Sequence, residues 1–238
     1  MGKVIMSGIV PQLEAPITGI LASTLAVGST VYLMENGSPV EYLVVNQGIP
    51  SGSSLYDASC DGTWLLRKDL CVDYVEFDSN YRAYATSDLR TYLNETFFNV
   101  FDSKTQSAIK QVKIPVNDKT TISSGSSGLL AKVFPLSGYE VGFTTAINSR
   151  IPIDGAVVSY FNGASETDSK RIAYCDGEVW EWWTRSQHTS NTSFAWAVDM
   201  SGGSANASIT NPYCARPALI LPSTAIFDEA TLVFKGVK

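Results

Sequence analysis

Apolar and polar positions alternate most cleanly near the start of the chain. Val31 and Leu33, the dipeptide Asn36-Gly37, and then Val40, Tyr42 and Val44 form a period of two around a turn. Asn-Gly tolerates positive φ at both central positions, so a tight β-hairpin is predicted there. A further strand is expected over 62–67. The period then changes. Leu89, Leu93 and Phe97 fall at i, i+4 and i+8, which predicts a helix from near Ser87, with Thr86 or Ser87 as N-cap. A second helix is expected from Ser103, whose spacing to Gln106 suits a capping box, with Ile109 and Val112 continuing its apolar stripe. Both stripes read as core. Ser137 and Glu140 repeat the capping-box spacing and predict a short helical turn after Phe134.

Residues 117–128, ending in Ser123-Ser124-Gly125-Ser126-Ser127-Gly128, read as a surface loop. From Gly155 onward the pattern is β. Strands are expected over 156–161, 171–174, 179–185, 194–200, 216–221 and 231–234, with turns at Asp176-Gly177 and Gly202-Gly203. Helices bunched early and strands bunched late, without a βαβ rhythm or an internal repeat, predict an α+β domain with antiparallel sheets. Residues 1–20 carry Pro11 and Pro16 and no sustained period. A first strand plus loop and an extended tail that docks on a partner subunit explain them equally well.

Composition narrows the function classes. A net charge of -6 gives no electrostatic pull towards phosphate backbones, so nucleic acid is not expected as a partner. No apolar run is long enough for membrane insertion, and the first residues lack a signal-peptide core. The chain is therefore expected to be made in the cytoplasm and, if it acts outside a cell, to leave by lysis or within a particle. Cys60, Cys71, Cys175 and Cys214 form no CxxC pair, and His188 is the sole histidine, so no metal site is expected. One or two disulfides stay open, but a chain without a secretion signal favours reduced, buried thiols.

A search for catalytic chemistry returns little. His188 sits in a Ser/Thr-rich stretch, no nucleophile elbow occurs, and the Ser123 to Gly128 run lacks the Lys-Ser/Thr ending of a phosphate loop. Glu178 and Glu181 would point to opposite faces of a strand and read as surface charges. Asp73, Glu76 and Asp78 read as a solvated acidic loop rather than a calcium site. No cofactor and no enzyme activity are expected.

The stretch from Ser186 to Tyr213 is different. It holds six Ser, three Thr and three Asn, with Asp199 as its one charged residue, together with Phe194, Trp196 and Tyr213. Small hydrogen-bonding residues mixed with aromatic anchors match the residue usage of antibody paratopes. Composition alone favours the blander reading, an ordinary polar β-meander.

Two motifs bracket this stretch: Trp182-Trp183-Thr184-Arg185-Ser186, then Ala215-Arg216-Pro217-Ala218-Leu219. With Gly62-to-Lys68, Tyr92-Leu93-Asn94, Ile109-Lys110, Leu136-Ser137 and Arg171-to-Tyr174, they resemble a family of phage and prophage proteins of Gram-positive, often gut, bacteria. In that family the pair reads Trp-Trp-Leu-Arg-Ser and Val-Arg-Pro-Ala-Leu, so Thr184 and Ala215 are departures. The resemblance spans nearly the whole chain. It implies a C-type-lectin-like fold, in the branch of formylglycine-generating enzymes and the variable proteins of diversity-generating retroelements. That fold has two helices and a twisted antiparallel sheet. Here it would cover residues 26–238, preceded by a docking segment over 1–25.

The resemblance moves the 186–213 stretch from polar meander to recognition surface. Gln187, His188, Asn191, Phe194, Trp196, Asp199, Asn206, Asn211 and Tyr213 are the expected ligand-binding residues. Trp182, Trp183, Arg185 and Arg216 are expected to be structural, with Trp182 and Trp183 alternating between core and surface. The sugar-binding triplets of calcium-dependent lectins are not matched by Asn211-Pro212-Tyr213 or by Trp196 to Asp199, and the surroundings of Cys175 and Cys214 do not match a formylglycine-generating site. The implied function is receptor binding by a virion protein at the tail. The implied partners are a bacterial surface glycan or protein and other virion proteins, the latter through the N-terminal segment, in a homo-oligomer. A head or tail decoration protein is the alternative, and an enzyme of the formylglycine-generating type the third reading.

Overall fold

The computed structural model describes residues 16–71, 73–118 and 121–238. Most of the expected docking segment, residues 1–15, lies outside them. The fold is α+β and dominated by strands. Its first sheet runs, in spatial order, Val133–Phe134, Ala218–Leu221, Thr63–Arg67, Ser38–Gln47, Thr30–Glu35, all antiparallel. The hairpin at its edge turns on Asn36 and Gly37, with φ of 48° and 80°. Both values are left-handed, as the primed turn that matches strand twist requires.

The second sheet runs Ser204–Ser208, Phe194–Val198, Trp182–Gln187, Tyr213–Cys214, Tyr74–Val75. It departs from the all-antiparallel expectation at one place, where Trp182 pairs in parallel with Cys214. A third sheet joins Ile20–Leu21 to Ala225–Phe227 and Phe234–Val237. Residues 20–21 of the expected docking segment are therefore paired with the C-terminal strands.

The first helix is shorter and less regular than the stripe suggests. Ser87 caps it through its side chain, and Asp88–Thr91 is α-helical. Tyr92–Thr96 then widens into a π-turn and Phe97–Val100 tightens to 3₁₀. Leu89, Leu93 and Phe97 are nevertheless all buried. The second helix, Ser103–Ala108, is capped by Asp102 rather than Ser103, and Val112 already belongs to the strand Val112–Ile114. Ile109 adopts extended geometry at the C-cap, and this ends the helix.

Three further expectations change, the first being the strand over 171–174, where Ser169–Arg171 is 3₁₀ and only Tyr174–Cys175 pairs. The 117–128 stretch is not a plain loop, because Val116–Asp118 and Thr121–Ser123 pair and Asn117 is buried. The 156–161 stretch is not a strand. The Ala156 N–H donates to the Tyr56 hydroxyl, the Ser159 N–H to Asn46 Oδ1, and Ser159–Phe161 is 3₁₀. Side chains satisfy this backbone, so no neighbouring strand is needed.

Three fully buried arginines bind the layers together. Arg185 forms a bidentate pair with Glu140 at 2.5 and 2.6 Å. Arg171 donates to the carbonyls of Gly202, Val141, Ser165 and Glu166 and lies 4.5 Å from the Phe143 ring. Arg216 donates to the carbonyls of Arg67, Lys68 and Arg171 and lies 5.0 Å from the Trp182 ring. The Arg171 carbonyl also accepts from Trp182 Nε1 at 3.0 Å. The two motifs thus meet on one carbonyl oxygen, through Trp182 and Arg216.

Candidate functional site

The tryptophan strand Trp182–Gln187 is buried along its whole length. Trp182 and Trp183 do alternate between faces, but neither faces solvent: both are 0% exposed. A layer covers each side. Arg216 packs on Trp182, while Phe77 and Tyr213 pack on Trp183 at 5.6 and 4.8 Å.

Behind this strand lies an ionic node. Ser137 and Glu140 form the predicted capping box, with Ser137 N–H to Glu140 Oε2 at 2.9 Å and Glu140 N–H to Ser137 Oγ at 3.0 Å. Glu140 also accepts from Tyr56 Oη at 2.7 Å and carries the Arg185 pair. Asp154, equally buried, accepts from Ser186 Oγ, which in turn accepts from the Gly138 N–H. Burial pushes the Asp154 carboxyl up to about 7, with Glu140 adding to the rise and Arg185 and Ser186 opposing it.

The expected ligand-binding residues do not form one surface. Gln187, His188 and Trp196 are buried, so they are not displayed. The His188 and Trp196 rings stack at 5.7 Å and 15°, and Trp196 Nε1 donates to the Arg150 carbonyl. Burial, and then Arg150, lower the His188 pKa. Gln187 Nε2 donates to the Thr192 carbonyl. Asp199 closes its own turn by accepting from Ser201 N–H, Ser201 Oγ and Gly203 N–H.

The other candidates split between faces. Phe194 pairs with Ser208 and Trp196 with Asn206, which places these four on one face of the sheet. Tyr213 stacks on Trp183, whose cross-strand neighbour is Ala197, so Tyr213 belongs to the opposite face with Gln187. Asn211 sits beside it, its Nδ2 3.4 Å from Tyr213 Oη. Asn191 is exposed at the tip of the 188–193 loop, and its carbonyl accepts from the Phe194 N–H. Within the segment Ser190, Asn191, Met200, Ser201, Asn206 and Pro212 are exposed, and Phe194, Asp199, Ser204, Ser208, Asn211 and Tyr213 are half-buried.

All four cysteines are unpaired and buried, and burial raises the Cys60, Cys71 and Cys214 thiols to about 12. Among the described residues, no group of acidic, histidine and cysteine side chains is arranged to hold a metal. No helix among them is long and apolar enough to cross a membrane. Asp78 overturns the solvated-loop expectation, because it is fully buried and accepts from Arg82 Nε and from the N–H groups of Asn80, Arg82 and Asp88.

Residues 61–223 match a family model described as a domain of unknown function, DUF6273. The chain belongs to this family. The DUF6273 span opens and closes on neighbouring strands of the first sheet, Thr63–Arg67 and Ala218–Leu221, which pair from Thr63↔Leu221 to Leu66↔Ala218. It contains all three buried arginines and the whole second sheet. No curated protein and no solved structure matches the chain.

A cleft that sequence reasoning missed lies at the other edge of the second sheet. It measures about 760 Å³ and runs between Tyr74–Val75 and the π-turn, lined by Asp73, Tyr74, Glu76, Asp88, Thr91 and Tyr92 among others. Of the acidic run in the sequence, Asp73 and Glu76 line it and Asp78 does not.

Proposed function

We propose that the chain is a non-enzymatic binding module of a bacteriophage virion, a C-type-lectin-like version of the α+β fold described above. In this reading it sits at the tail, in several copies, and attaches the particle to a surface glycan or protein of a Gram-positive host. It uses no cofactor and leaves the cell with the virion at lysis. The observation that carries the reading is the contrast within one hairpin. His188 and Trp196 are stacked and buried, while Phe194, Asn206 and Ser208, on the same face as Trp196, stay half-buried or exposed. A fixed base lowers the ordering cost of binding, and small polar side chains beside an aromatic ring supply adaptable contacts. Such a face tolerates residue exchange without disturbing the core, as a retroelement-diversified protein needs.

Immunogold labelling of particles from a lysate of bacteria carrying the gene tests the location. Label at tail tips is the expected result. Label over heads would make the chain a decoration protein, and chain recovered only in the particle-free fraction would overturn the virion reading.

A further inference from the structure

We propose that the cleft between Tyr74–Val75 and the π-turn is a binding site for a neutral saccharide. The site lies across the second sheet from the display face and does not depend on the virion reading.

The first observation is exposed aromatic surface. Tyr74 is 50% exposed although it belongs to a strand, and Trp180 packs edge-on to it at 5.3 Å while itself 37% exposed. Two large rings left open together offer π faces to the C–H groups of a sugar ring, which carry partial positive charge. Tyr92 is the second ring of the cleft wall, Trp180 touching it only through Tyr74, and its hydroxyl donates to Asp73 Oδ2 at 2.8 Å.

The second observation is the state of the carboxylates. Asp88 shares Arg82 with the buried Asp78, and Asp73 accepts from the Tyr92 phenol. Asp73 and Glu76 keep their charge, but among the described residues no group of acidic side chains is arranged to hold a metal ion. The remaining lone pairs on Asp73, Asp88 and Glu76, with the Thr91 hydroxyl, are acceptors suited to a ring of sugar hydroxyls. Among the described residues none that lines the cleft is basic, which disfavours anionic glycans.

The third observation is the wall itself. Tyr92–Thr96 is a π-turn, a backbone irregularity that costs helix hydrogen-bond geometry and recurs at functional sites. Here it sets Tyr92 and Thr96 on the cleft.

Affinity electrophoresis of the full chain tests the proposal, in native gels containing in turn a soluble β-glucan, an α-mannan, a galactan and an N-acetylglucosamine polymer. At least one should retard the chain, with no change when salt is raised, because a neutral ligand gives nothing to screen. Tyr74→Ala and Trp180→Ala should each weaken retardation about tenfold, a loss of about 1.4 kcal/mol. Tyr74→Phe should retain it, and Val27→Ala, at an exposed turn outside the second sheet, should leave it unchanged. Both aromatic positions are exposed, so the variants should melt like the parent. Failure of every polysaccharide to retard the chain would overturn the proposal, as would retardation that survives Tyr74→Ala. Binding only to a lysine-rich peptide, lost at high salt, would assign the cleft to a basic peptide instead.

Discussion

Arg185 and Glu140 form a bidentate ion pair at 2.5 and 2.6 Å, and neither side chain is reached by solvent. The pair joins the tryptophan strand to the turn at Ser137. Removing one partner leaves the other charged and unpaired in the interior. Glu140→Ala should therefore destabilise the fold by about 3–5 kcal/mol in urea unfolding. The double variant Arg185→Met/Glu140→Leu should recover a large part of that loss. Equal destabilisation of single and double variants would mean that the pair is not the cause.

Gly155 allows the same node to close. A Cβ there would lie 2.7 Å from both Glu140 Cγ and Ser137 Oγ. Gly155→Ala should cost about 1–3 kcal/mol, the usual range for overpacking a core. Gly163 has open space around its Cβ position, and replacing it should bring only backbone strain, since its φ is 73°. Paired thermal melts of the two variants should separate the steric contribution at Gly155.

Asp154 makes stability depend on pH in an unusual sense. Its carboxyl is pushed up to about 7 by burial, against an ordinary carboxylate value near 3.9 in the unfolded chain. Between those values the folded state holds a proton that the unfolded state has released. This contribution to stability is present at low pH and is lost as pH rises through about 7, with a slope approaching about 1.4 kcal/mol per pH unit. Asp154→Asn should flatten the fall in stability from pH 5 to pH 8. An unchanged slope would show that Asp154 does not titrate in that window.

Local chemistry was legible in the sequence, and distant pairing was not. Asn36-Gly37 and Asp176-Gly177 both adopt the left-handed turns their residue types favour, and Ser137 with Glu140 forms the reciprocal cap that their spacing implies. Nothing local announces that Glu140 pairs with a residue 45 positions away. The apolar run 156–161 resembles a strand because periodicity does not distinguish a strand from a buried loop, and here Tyr56 and Asn46 take the place of a neighbouring strand. The candidate site divides because Trp182 pairs in parallel with Cys214, which fixes Tyr213 on the Trp183 side. A stretch that is continuous in sequence thereby ends on two faces.

Burial separates the roles of neighbouring candidates. Trp196 is 2% exposed and stacked on His188, so Trp196→Ala should cost about 3–5 kcal/mol. Asn191 and Asn206 are exposed, and replacing either by Ala should stay within about 0.5 kcal/mol. Chemical denaturation of the three variants checks the division.

The central proposal is that recognition resides on the exposed part of the Phe194–Ser208 hairpin, beside the buried His188–Trp196 stack. The most direct measurement is retention of the fluorescently labelled chain on Gram-positive host cells, with and without Asn191→Ala/Phe194→Ala/Asn206→Ala. The account predicts retention for the parent and at least about a tenfold loss for the variant, with the melting transition preserved. Undiminished retention by the folded variant would contradict it.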